Sequence, residues 1–117
     1  MDYVDGFVLA VEKTRKQEYI DFATECAKVF KEYGALSVIE CWGDDVPEGE
    51  LTSFPMAVKC KEDEVVCFSW ITWPDKATRD KGMEAAMQDP SFSNEDTPLP
   101  FDGKRMIFGG FNMIVRE

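Results

Sequence analysis

The stretch VVCFSWITWPDKATRD, residues 65–80, decides the fold, because it joins one strand to one helix through a sharp corner. Residues that favour strands dominate Val65 to Trp73, and side chains alternate between the two faces of a strand. Both faces of this segment are mostly apolar, whereas a strand with one face in water carries polar residues at alternate positions. We therefore predict a central strand that is covered on both faces.

The corner lies at Pro74 and Asp75. Proline lacks the N–H group that a central strand needs, so the strand is expected to end there. Asp75 is a typical helix N-cap, and the composition that follows is helical. The sequence predicts a helix from about Lys76 to Gln88, which Asp89-Pro90 ends.

The rest of the chain predicts three more strands and a second long helix. With the central strand, the predicted strands are Tyr3 to Val11, Leu36 to Trp42, Val65 to Trp73 and Met106 to Val115. Thr14-Arg-Lys-Gln17 fits a capping box, and apolar residues then recur at helical spacing until Gly34. Gly109-Gly110 indicates a bulge or a close backbone approach within the last strand.

Two connecting segments are less regular. Residues 52–60 fit a short helix capped by Thr52 or Ser53, with Pro55 in its first turn, but a short edge strand is the alternative. Ser91 to Lys104 is predicted to be a long loop, because it contains prolines and a glycine.

The order β-α-β-β-α-β is the split βαβ or ferredoxin-like arrangement, an α+β fold in a single domain of 117 residues. Its first and third strands occupy the centre of a four-stranded antiparallel sheet, and these strands are apolar on both faces here. Two helices cover one face of such a sheet, so the other face would be an exposed apolar patch in a monomer. We therefore expect a homodimer formed by sheet-to-sheet packing.

Several blocks, in the same order, resemble the DUF1428 family of small bacterial proteins without an assigned activity. The blocks are YVDGFV at 3–8, FKEYGAL at 30–36, ECWGDDVPEG at 40–49, KEDE at 61–64, FSWITWPDKATRD at 68–80 and PFDGKRMIFGGF at 100–111. The resemblance implies a dimeric α/β-barrel, in which two ferredoxin-like subunits pair through their sheets. It implies no established substrate and no catalytic residue.

The charge of the chain excludes some partners. Its formal net charge is −10, whereas proteins that bind nucleic acids or anionic membranes present a basic face. No apolar run approaches the roughly 20 residues that span a bilayer, and the first residues do not look like a basic leader. We expect a cytoplasmic protein with no nucleic-acid or membrane partner.

The chain contains four cysteines and no histidine. Because no CxxC motif is present, reduced thiols used as small apolar groups are expected rather than disulfides or a zinc site. The absence of histidine excludes Ser-His-Asp and Cys-His catalysis. The acidic segment from Gly43 to Glu50 lacks EF-hand spacing, so we predict neither a metal nor a cofactor.

Glu40 and two tryptophans are candidates for ligand binding. Glu40 lies between apolar neighbours in a strand, where a carboxyl group would have a raised pKa and could exchange protons. The alternative is a sheet-edge position or a basic partner. Trp42 and Trp70 could line an apolar pocket, although tryptophan is more common in cores and dimer interfaces.

Three further candidates are polar. Arg79, near the positive end of a helix dipole, and Arg105, beside Lys104, could bind an anion, but exposed ion pairs are the alternative. Asn112 could orient a carbonyl group or satisfy local backbone atoms.

Three classes of function fit these features. We favour a non-catalytic, small-molecule-binding or regulatory homodimer, with a pocket bounded by Glu40, Trp42 and Trp70. Fold analogy suggests a cofactor-independent monooxygenase-like enzyme acting on a small aromatic substrate. The third class is an interaction module that meets a partner through Asp44 and Asp45.

Overall fold

The computed structural model describes residues 2–92 and 98–117. The strands are β1 (Tyr3–Glu12), β2 (Ser37–Trp42), β3 (Glu64–Trp73) and β4 (Ile107–Asn112). The α-helices are α1 (Lys16–Glu32), α2 (Phe54–Ala57) and α3 (Lys76–Met87), and short 3-10 turns span Lys13–Arg15, Pro90–Phe92 and Gly103–Arg105. All strand pairs are antiparallel, in the order β2-β3-β1-β4, which confirms the predicted α+β, ferredoxin-like fold with β1 and β3 in the centre.

The strand-to-helix corner forms as the sequence predicts. On the side of β3 that faces α1 and α3, the side chains from Cys67 to the end of the strand are all buried. They are Cys67, Ser69, Ile71 and Trp73. Asp75 then accepts a hydrogen bond from the backbone N–H of Thr78 at 2.7 Å and so caps α3. This helix ends at Met87, one residue before the predicted end.

The start of α1 differs from the sequence prediction. The capping box predicted at residues 14–17 does not form, because Lys13–Arg15 is a 3-10 turn and no side chain caps the helix. A 3-10 turn commonly precedes an α-helix, and here the turn leads directly into α1 without a capping side chain. The predicted stop is confirmed, since α1 ends at Glu32 and Gly34 adopts a φ of +114°.

Within residues 52–60 the chain forms the short helix and not the edge strand. Ser53 caps α2, and its hydroxyl oxygen lies 3.1 Å from the backbone nitrogen that donates to it. Val58, just after α2, is 1% exposed. It packs against Val8, Ala10 and Val66, on the sheet face opposite α1 and α3. The expectation that a monomer leaves this whole face open is therefore wrong at the α2 end.

The last strand is shorter than predicted, because its partner β1 begins at Tyr3, which pairs with Asn112. The register of β4 is continuous through both glycines, so there is no bulge. The glycines instead allow a close approach: a Cβ atom on Gly110 would lie 2.9 Å from a guanidinium nitrogen of Arg79. Of the predicted loop from Ser91 to Lys104, residues 93–97 lie outside the described part of the chain.

Beyond α2, large apolar side chains remain in contact with water on the sheet surface opposite α1 and α3. We call this patch, formed by Ile39, Phe68, Trp70, Ile107 and Phe111, the open sheet face. The ring of Phe68 lies 5.6 Å from that of Trp70, between ring centroids. The central strands thus have different surroundings on their two faces, as the sequence predicts.

Candidate functional site

A pocket of about 600 Å³ lies between the sheet and α1, on the face that the long helices cover; we call it the sheet–helix pocket. Its walls come from β1, β2, β3 and α1, with the end of α3 and the segments beside the 3-10 turns. Six aromatic side chains line it: Phe7, Tyr19, Phe22, Phe30, Phe92 and Phe101. A concave site of this volume, mostly apolar with a few polar groups, is typical of small-molecule binding.

The alternation of β2 places Glu40 in this pocket. Glu40 shares the helix-facing side of the strand with Val38, which also lines the pocket. Its register partner is Ser69 in β3, and Ser69 pairs in turn with Phe7 in β1. Glu40 therefore begins a row of side chains that crosses β2, β3 and β1. Its neighbours in that row are the short Ser69 and the apolar Phe7.

Glu40 is hydrogen-bonded to α1. The hydroxyl group of Tyr19 donates to Oε1 of Glu40 at 2.6 Å. Water reaches Glu40 through the concave surface, but the surrounding protein raises the pKa of its carboxyl group, and hydrogen bonds from Tyr19 and Ser69 oppose that rise. Burial and the neighbouring carboxylate also raise the pKa of Tyr19, which is therefore a neutral donor at physiological pH.

A second concavity of about 390 Å³, the α1–β2 groove, lies on the outer side of the same carboxylate. Glu40 and Tyr19 line both spaces. Trp42 lines the groove and not the sheet–helix pocket, and Nζ of Lys16 lies 5.1 Å from the centroid of its ring, a cation–π contact. Glu40 thus separates an inner pocket from an outer groove.

Trp42 lines the α1–β2 groove beside Glu40, but Trp70 lies away from both. Trp70 pairs with Ile39, so it lies on the opposite side of the sheet, in the open sheet face. A single pocket bounded by Glu40, Trp42 and Trp70 is therefore not formed, because alternate residues of β3 point to opposite sides. Trp73 is fully buried in the core below α3.

Arg79 is held by carboxylates within the chain. Its guanidinium group contacts Asp5 at 2.7 Å and Asp80 at 3.0 Å, and it does not line the sheet–helix pocket. Asp5 is 2% exposed and was not among the candidates drawn from the sequence. The signal was present, because Asp5 is the one charged residue between Tyr3 and Val11 on an otherwise apolar strand face.

Arg105 and Asn112 also lie away from the pocket. Arg105 makes two hydrogen bonds to Glu64, at 2.8 and 2.7 Å, and a third to Asp102 at 3.0 Å. Asn112 lies in β4, where it pairs with Tyr3 of β1. Glu40 lies in β2, at the opposite edge of the sheet. Of the six candidates, only Glu40 lines the sheet–helix pocket.

Two of the thiols, those of Cys26 and Cys67, have little nucleophilic character. All four cysteines are free. Burial raises the pKa of Cys26, which lines the sheet–helix pocket, and of Cys67 below it to about 12. A thiol with so high a pKa is almost entirely protonated at neutral pH, so these side chains act as apolar lining.

The described residues form neither a metal-binding cluster nor a membrane-spanning helix. Residues 2–92 and 98–117 contain no group of three or more cysteine or acidic side chains placed to hold a metal ion. No helix in the same ranges is long and apolar enough to cross a membrane.

Comparisons with known proteins place this geometry in context. The family described as "Protein of unknown function (DUF1428)" matches residues 2–103. The uncharacterised protein YbaA of Escherichia coli strain K12 is 50% identical over 117 residues, and the alignment covers both chains completely; YbaA of Shigella flexneri matches equally. A solved structure, a dimeric ferredoxin-like protein from an uncultured marine organism, is 14% identical, with a TM-score of 0.59 over 100% of this chain and 99% of that one. This last similarity concerns the fold alone.

Proposed function

Because this chain belongs to the DUF1428 family, whose description records no function, we propose a function from its own geometry: it binds a small, largely apolar molecule without transforming it. The observation that carries the proposal is the sheet–helix pocket, about 600 Å³ of mostly apolar space with the carboxylate of Glu40 on its wall. In the described part of the chain, the lining pairs the hydroxyl of Tyr19 with the carboxylate of Glu40, but the pKa of that hydroxyl is raised, so Tyr19 acts as a neutral donor and not as an activated nucleophile.

A direct test uses 2-phenylethanol, a neutral aromatic probe, titrated calorimetrically into the protein. We expect saturable binding that falls about tenfold in Ala23→Leu, because the larger side chain occupies part of the pocket. Ala77→Leu is the matched control, since it adds the same atoms at an exposed position of α3 and leaves binding unchanged. Equal binding of the probe by Ala23→Leu and the original protein would contradict the proposal.

The protein's partner, we infer, is a second copy of itself, packed through the open sheet face. The support is an apolar patch with Phe68 43% and Phe111 59% exposed, which is costly to leave in water. Its fold neighbour is described as dimeric, which agrees with this inference. The cysteines, all free, support a reducing compartment such as the cytoplasm.

A further inference from the structure

The sheet–helix pocket has one sign of charge. Among its lining residues in the described part of the chain, Glu40 alone is charged, and no arginine or lysine takes part. No basic group in the same part of the chain forms an ion pair with Glu40. A carboxylate that faces apolar walls without a cation depends for its stabilisation on water and on the hydroxyl groups of Tyr19 and Ser69.

A ligand that fills the pocket displaces that water. The hydroxyl groups of Tyr19 and Ser69 satisfy part of the Glu40 carboxylate, and an apolar molecule in the pocket removes water from the rest of it. A ligand with a positive charge compensates for this loss, because a charge-assisted hydrogen bond to a carboxylate is stronger than a neutral one. An anion would add repulsion to the lost solvation.

The aromatic walls favour the same sign of charge. Six rings surround the space, and the face of an aromatic ring attracts a cation when the charge lies within about 6 Å of the centroid. The whole chain, with a net charge of −10, also attracts cations over a longer range.

We propose that the sheet–helix pocket takes a small organic ammonium ion, with its apolar body among the six aromatic rings and its charged head at Glu40. This rests on the proposed binding function and names the chemical class of its ligand. A neutral alcohol fits the same space, but it leaves the charge of Glu40 without a counter-ion.

Three probes with similar bodies test the inference: 2-phenylethylammonium, 2-phenylethanol and 3-phenylpropionate, titrated calorimetrically at neutral pH and constant ionic strength. We expect the ammonium ion to bind about tenfold more tightly than the alcohol, and the carboxylate to bind most weakly. Alcohol binding as tight as ammonium binding would overturn the inference and leave the proposed function standing. Failure of all three probes to bind would overturn both.

Two variants locate the charge effect. Glu40→Gln should remove the preference for the ammonium ion, with the affinity for 2-phenylethanol changed by less than about twofold. Glu48→Gln, in the exposed acidic segment, makes the same change in net charge and should preserve the preference. A preference that survives in Glu40→Gln would overturn the inference. If thermal denaturation shows that Glu40→Gln is unfolded, the relative affinities of the original protein for the three probes decide whether the inference holds.

Discussion

The carboxylate of Asp5 receives hydrogen bonds from two separate elements. Nε1 of Trp73, at the end of β3, donates at 2.9 Å, and Arg79 of α3 donates at 2.7 Å. The guanidinium group also lies 5.2 Å from the ring centroid of Tyr3. One buried acid therefore fixes the indole of the corner and the first turns of α3, which explains why the strand-to-helix stretch needs a partner in β1.

Asp5→Asn should destabilise the protein by about 3 kcal/mol, because it removes the buried carboxylate that pairs with Arg79 and leaves only the exposed Asp80 as its counter-ion. The measurement is chemical denaturation at one fixed protein concentration. Asp21→Asn, at an exposed position of α1, is the control and should cost less than about 0.5 kcal/mol. Equal unfolding midpoints for Asp5→Asn and the original protein would show that the ion pair adds no stability.

At the scale of elements, Arg105 joins the 3-10 turn before β4 to the segment from α2 to the start of β3, more than 40 residues earlier in the chain. It pairs with Glu64 at the start of β3 and with Asp102 in its own 3-10 turn, and it donates to the carbonyl group of Lys59 after α2 at 2.9 Å. Hydrogen bonding to Arg105 lowers the pKa of Glu64 to about 2. The sequence suggested that Arg105 could bind an anion, but its donors already have partners within the chain.

Glu64→Gln should lower the free energy of unfolding by about 2 kcal/mol at pH 7, because the ion pair with Arg105 is lost. The folded-state pKa of Glu64 is depressed, so its contribution is complete above the ordinary pKa of about 4.5 and disappears as the pH falls through about 2. Urea denaturation at pH 7, 4 and 3 should therefore show the variant and the original protein converging.

Glu62→Gln serves as the control for this series, since Glu62 is exposed in the same turn. It should unfold like the original protein at each pH. A stability difference for Glu64→Gln that stays constant from pH 7 to pH 3 would contradict the assigned role of the ion pair.

On the scale of the whole molecule, the proposed dimer determines how the open sheet face is covered. Val58 already covers one end of that side of the sheet, so only the remaining apolar surface is available to a partner. The flat, self-complementary surface of a sheet suits a two-fold interface, in which the same patch serves both copies.

Phe68→Lys should convert the dimer into a monomer at low micromolar concentration, because it places a charge in the centre of the open sheet face. Light scattering measures the mass directly. Leu51→Lys, at a position that is 100% exposed in the segment before α2, should leave the dimer intact. A monomeric mass for the original protein would refute the interface.

The amino-acid sequence by itself determined the element order, the central positions of β1 and β3, and the capped corner before α3. These features depend on local patterns: alternation along strands, apolar spacing along helices and capping residues at their ends. Alternation alone did not show that Glu40 and Trp70 lie on opposite sides of the sheet, because their relative faces depend on the register between β2 and β3.

Only the tertiary structure decided which polar groups meet. Asp5 with Arg79, Glu64 with Arg105 and Glu40 with Tyr19 are separated by 74, 41 and 21 positions in the chain. No local pattern specifies such pairs, because each depends on strand register and on where a helix packs across the sheet. For the same physical reason, the sheet–helix pocket and the position of Glu40 on its wall became visible only once α1 was packed against β2.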